Sequence, residues 1–127
     1  MHKSDTYNPI VDKSFDFALE IIELADHLEE NRKYVLSRQI YKSGTSIGAN
    51  VKEAQGAESR ADFIHKMKVA LKEAEETEYW LMLANRSRKY PNTESYLIKL
   101  KEIQKILNVI VSTSKRGLKE IKTIPKN

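Results

Sequence analysis

Leu97, Leu100, Ile103, Leu107, Ile110, Ser114 and Leu118 recur at nearly 3.5-residue spacing over three heptads. An apolar repeat of this period, sustained for so long, has one low-energy solution in water. It is a long helix with one buried stripe. Three more segments carry the same signature. From about 13 to 31, Phe15, Leu19, Ile22 and Ala25 fall on one side, and Asp12, Asp16, Glu20, Glu23 and Glu30 line another. From about 35 to 55 the stripe is Leu36, Ile40, Ser43, Ile47, Val51 and Ala54. From about 59 to 87 it is Phe63, Met67, Ala70, Leu71, Ala74 and Leu81. Ser59 with Asp62 approximates a capping box, and "SRKYPNTES" supplies the turn before the fourth helix, about 94 to 122. No alternating strand pattern occurs. The expected fold is all-α: one domain over residues 1–127, an antiparallel up-down four-helix bundle with short connections.

Glycine and proline are scarce, at 4 and 3 of 127 residues, and 31% of residues are charged, as long solvated helical faces require. There are no cysteines, which removes disulfides, thiolate chemistry and Cys-based zinc sites. The first residues lack the apolar core of a signal peptide, and no run approaches the roughly 20 apolar residues that span a bilayer. A cytoplasmic protein without membrane attachment is the expectation. Charge is graded along the chain. Residues 1–31 hold two lysines against eight acids, whereas residues 92–127 hold eight bases against three acids.

The stretch "KSGTSIGANVKEAQG", residues 42–56, is unusual inside a helix. On a helical wheel its apolar stripe is flanked on one side by Gly44 and Gly48, one turn apart. On the other side Gln39, Lys42, Ser46, Asn50 and Glu53 form a polar row. Each mid-helix glycine costs roughly 0.5–1 kcal/mol relative to alanine. That cost is offset where a neighbouring helix packs unusually close. The polar row has three readings. One is a structural network in which Asn50 and Glu53 reach a neighbouring helix or loop end. Another is a ligand or nucleic-acid site, and the third is an exposed, idle face. Glu78 falls near the core face of the third helix and needs a partner there, such as Lys42 or an amide.

Catalytic signatures are missing. The histidines are His2, His27 and His65, and neither Glu23–His27 nor Asp62–His65 forms the Glu-x-x-His pair of a di-iron bundle. "GTSIG" lies within a helix whose amides are already bonded, so it is no phosphate loop. The expectation is a non-enzyme with no catalytic residues, no metal site and no cofactor.

Two surfaces point to partners. Tyr79, Trp80 and Leu83 widen the apolar area of the third helix beyond one stripe, which suggests self-association. Lys101, Lys105, Lys115, Lys119 and Lys122, with Arg116 nearby, form a basic stripe on the fourth helix. Such a stripe is either a solvated or intraprotein-paired face or a contact for a phosphate backbone. No aromatic interleaves it, so base stacking is not indicated.

The segment "RQIYKSGTSIGANVKEAQGAESRADFIHKMKVALKEAEETEYWLMLA" resembles the four-helix-bundle family named for 23S rRNA intervening sequences. The resemblance rests on Gln39, Lys42, Ser46–Ile47, Asn50 and Glu53, on "DFIHK", and on the run ending "ETEYWL". It extends over about residues 13–122. Ala54 departs from it, where many members have glycine. The resemblance implies a four-helix bundle, often a homopentamer, with a connection to RNA through members encoded in rRNA insertions. A related accessory protein of retroelements binds nucleic acid and a reverse transcriptase. The resulting expectation is a non-enzymatic oligomeric bundle engaging RNA or a nucleoprotein complex. The alternative is a protein–protein assembly scaffold with no direct contact to nucleic acid.

Overall fold

The structure, a computed structural model, describes the backbone of residues 8–123 and the side chains of residues 8–117. It contains four α-helices: α1 Pro9–Glu30, α2 Tyr34–Ala54, α3 Arg60–Arg86 and α4 Glu94–Thr123. No strand occurs among the described residues. Each helix packs against the next in sequence, and α1 also meets α4, the sparsest of these contacts. One apolar cluster draws on all four helices, including Phe17 and Ile21, Ile47 and Val51, Met67 and Leu81, and Leu100 and Leu107.

Helix α1 begins earlier than its apolar pattern suggests, because Pro9 occupies the first turn after Asn8. Proline is favoured there, where its missing N–H has no intrahelical role and its φ is already helical. Asn8 donates instead to Gln55 Oε1 at 3.2 Å, joining the start of α1 to the end of α2. Helix α3 starts as expected: Ser59 Oγ accepts from the Asp62 N–H at 3.0 Å, and Asp62 Oδ2 accepts from the Glu58 N–H at 3.2 Å. At the α3–α4 connection, buried Thr93 donates through Oγ1 to the Leu81 carbonyl at 2.6 Å, and its N–H reaches Asn85 Oδ1 at 3.0 Å.

The stripes expected for α2, α3 and α4 are buried or half-buried, as far as Ser114. That of α1 is not. Phe15 and Leu19 are 44% and 50% exposed and Ile22 is half-buried, while Ile10, Ser14, Phe17, Ile21, Leu24, Ala25 and Leu28 form the buried face. Both sets repeat at helical spacing, so periodicity alone does not choose between them. The choice is made by α2. A Cβ placed on Gly44 would lie 2.7 Å from Ile21 Cγ2, and one on Gly48 would lie 3.1 Å from the Ser14 carbonyl oxygen. The Ser14–Ile21 face therefore nests on the glycine edge of α2, and Phe15 and Leu19 are turned to its rim. Helix α2 itself runs without a break through both glycines to Ala54.

Candidate nucleic-acid interface

Two members of the polar row of α2 are bonded along their own helix. Ser46 Oγ donates to the Lys42 carbonyl at 2.6 Å, and Asn50 Nδ2 donates to the Ser46 carbonyl at 2.8 Å. Neither Gln39 nor Glu53 forms a hydrogen bond to another helix among the described residues. The buried polar links between helices lie elsewhere. Ser37 Oγ donates to the Ala25 carbonyl at 2.7 Å, and Ser43 Oγ lies 2.9 Å from Thr77 Oγ1. Thr77 Oγ1 is also 2.7 Å from the Glu73 carbonyl. With one proton to give, Thr77 donates to the carbonyl and accepts from Ser43. These small hydroxyl residues sit on core stripes, where sequence shows only that they are small.

The carboxyl on which the Lys42 charge acts is Glu73. Burial, and then the neighbouring Glu76, hold the Glu73 carboxyl above the usual carboxylate range, and the Lys42 charge pulls it partly back. Glu78 lies one turn further on, beside Met82, Ile98 and Lys101 in the α3–α4 groove.

The described members of the basic stripe of α4 stay out of the ion pairs among the described residues. Lys101, Lys105, Lys115 and Arg116 are exposed. None has a carboxylate within ion-pair distance among the described residues. Arg116 Nη2 donates to Thr113 Oγ1 on its own helix at 3.4 Å. The side chains of Lys119 and Lys122 lie outside the described residues. The bridges between α1 and α4 use other residues. Glu20 pairs with Lys99, and Glu102 pairs with Lys13 at 2.7 Å. These two bridges flank a cleft of about 240 Å³ above Phe17 and Ile103. Half-buried Tyr96 has its phenol pushed up by burial and by Glu20 and Glu23, with Lys99 opposing.

The aromatic surface of α3 forms a groove of about 340 Å³ with the start of α2. Tyr79 and Leu83 are 57% and 47% exposed, and Val35 on α2 is 68% exposed. Trp80 lies edge-on to Tyr79, with ring centroids 5.2 Å apart. Its buried indole N–H has no acceptor among the described residues.

A family model described as 23S rRNA-intervening sequence protein matches residues 7–112. The chain belongs to that family. The similar crystal structure of a protein with unknown function from the S23 ribosomal protein family of Bacteroides thetaiotaomicron is 48% identical, with a TM-score of 0.77. The alignment covers 80% of this chain and 97% of that one. No curated protein matches the chain. Neither the description of the 23S rRNA-intervening sequence family nor that of the S23 structure names a catalytic activity. Among the described residues, no cluster of His, Asp or Glu could hold a metal ion, and no helix is long and apolar enough to cross a membrane.

The Glu73 environment has a measurable consequence. Its folded-state pKa is raised, so it contributes stability that is complete below the unfolded-state pKa. That contribution is lost as pH rises through the folded-state value. At neutral pH the ionised group opposes folding. Glu73→Gln is therefore expected to unfold at a higher urea concentration than the native chain at neutral pH. The difference should close as pH falls below the ordinary glutamate value of about 4.3.

Proposed function

We propose that this chain is a non-enzymatic, cytoplasmic bundle that assembles with copies of itself and engages RNA, or an RNA–protein complex, through the exposed face of α4. The observation that carries this reading is the division of labour among the cations of α4. Lys99 is taken up by Glu20, while Lys101, Lys105 and Lys115 are exposed and without a carboxylate partner among the described residues. A lysine row spent on holding the acidic helix in place would have no charge left for phosphates. This row has it. The name of the family, which refers to sequences interrupting 23S rRNA, agrees with an RNA partner.

The up-down antiparallel order of the helices belongs to the same reading. It is supported by contacts that run in opposite directions along neighbouring helices. Gly48 meets Ser14 where Gly44 meets Ile21, and Lys13 meets Glu102 where Glu20 meets Lys99.

Titration of a labelled single-stranded RNA at about 50 and about 200 mM salt tests the RNA contact. The native chain is expected to bind with a steep salt dependence. Replacing Lys101, Lys105 and Lys115 together by Gln should make the log–log slope shallower by about two, at ~0.7 per phosphate contact. No binding by the native chain at the lower salt would remove this reading.

Self-assembly rests on a separate observation, the exposed Tyr79–Leu83 surface beside the orphaned Trp80 indole. Five-fold assembly, the family's habit suggested by resemblance, is the proposed state. If assembly is the whole function, the chain is a scaffold for another protein and the lysine variant keeps its partner. Leu83→Asp is expected to lower the mass in light scattering after gel filtration while helical circular dichroism is retained. An unchanged mass would exclude Leu83 from the interface.

A further inference from the structure

The end of the bundle that carries the α1–α2 and α3–α4 connections holds an unassigned cationic cluster: Arg32, Lys33, Arg86, Arg88 and Lys89. All but half-buried Lys33 are exposed, and none is within ion-pair distance of a carboxylate among the described residues. The two connections are held together. Lys33 Nζ lies 5.0 Å from the centroid of the Tyr90 ring, and Lys33 and Lys89 line one cleft of about 320 Å³ with His27, Asn31 and Pro91. Arg86 in turn shares the α3–α4 groove with Lys101 of the α4 stripe, alongside Glu78 and Glu94. The cluster is thus continuous with the surface proposed above.

One residue shows that these cations are more than helix-end complements. Helix α1 closes with a Schellman motif: the Lys33 N–H reaches the Leu28 carbonyl at 2.8 Å, and the Arg32 N–H reaches the Glu29 carbonyl at 2.9 Å. This places Arg32 at φ 62°, the left-handed position that glycine fills without steric cost. Cations near a helix C-terminus favour its dipole, but the last turn of α1 carries Glu29 and Glu30, the opposite sign. Dipole complementation would be met at those sites without strain. The chain instead places its cation at a strained, exposed tip.

We propose that this two-connection end is a second phosphate-backbone contact for RNA, with Arg32, Arg88 and Lys89 as its outermost cations. The proposal rests on the RNA reading above. It requires stability and affinity to move in opposite directions at one residue. Arg32→Gly should raise the urea midpoint, since glycine relieves the left-handed strain, and should weaken binding of a labelled oligouridylate.

The decisive set compares the native chain, Arg32→Gly/Arg88→Gln/Lys89→Gln, and the α4 lysine variant in the same salt titration. The triple variant should lose about two units of salt slope, at ~0.7 per contact removed. If it keeps the full slope while the α4 variant loses it, this inference is overturned and the α4 assignment stands. Loss in the triple variant alone supports this inference and removes the α4 residues from the site. No binding by the native chain at low salt overturns both. A triple variant that binds an acidic peptide less well but RNA unchanged would mark the end as a protein contact and also overturn the inference. Because Arg88 and Lys89 are exposed outside the helices, Arg88→Gln/Lys89→Gln keeps the test available if the position-32 change alters folding.

Discussion

Helix α2 can lie against α1 at its observed depth only because Gly44 and Gly48 present no side chain to it. The consequence reaches beyond that pair. The contact takes in the Ser14–Ile21 face of α1, and so it decides which of two apolar stripes enters the core. It also turns Phe15 and Leu19 outward, and Phe15 there borders an apolar groove with Thr45, Gly48 and Ala49. The acids Glu20 and Asp16 are carried to the α4 side by the same rotation, and Glu20 there meets Lys99. The small-residue edge thus sets the packing of α1–α2 and, through it, the charge pattern of the sparsely packed α1–α4 seam.

That seam explains how the protein can be acidic at one end of its sequence and basic at the other without neutralising itself. Among the described residues, the α1–α4 seam draws Lys13 and Lys99 into bridges with Glu102 and Glu20. Exposed bridges of this kind contribute about 0–1 kcal/mol each and weaken with salt. They align two helices more than they stabilise them. The exposed cations on α4 and at the two connections lie outside these bridges, where a polyanion can reach them. The closely similar S23 structure carries the same bundle with no function attached to it, so these charges, rather than the fold, are where a role has to be sought.

Much of this was legible in the sequence. Helix number, the α2 stripe, the Ser59 cap and the glycine edge all follow from local rules that tertiary context did not override. What was not legible had two competing answers at the same period or a partner set by depth. Phe15/Leu19 and Phe17/Ile21 repeat equally well, and only the neighbour on α2 distinguishes them. Glu73 and Glu78 lie five residues apart, roughly 140° round the helix and on opposite edges of its core stripe, and the pattern alone does not say which edge faces Lys42. The Ser43–Thr77 link was hidden because a buried hydroxyl in a core stripe reads as a small apolar residue until its partner is seen. The partners of the polar row on α2 were not legible, because short polar side chains such as Ser46 and Asn50 can bond to their own helix as well as to a neighbour.

Urea unfolding of Gly44→Ala, alone and with Ile21→Ala, tests the α1–α2 contact most directly, because the two explanations of that glycine differ in sign. On an open helix face, alanine would raise stability by about 0.5–1 kcal/mol. Against the wall of Ile21, the added methyl should instead lower it by about 1–3 kcal/mol, and the loss should shrink when Ile21 is already alanine. A Gly44→Ala chain as stable as the native one, or more so, would contradict the close approach on which the arrangement of α1 depends.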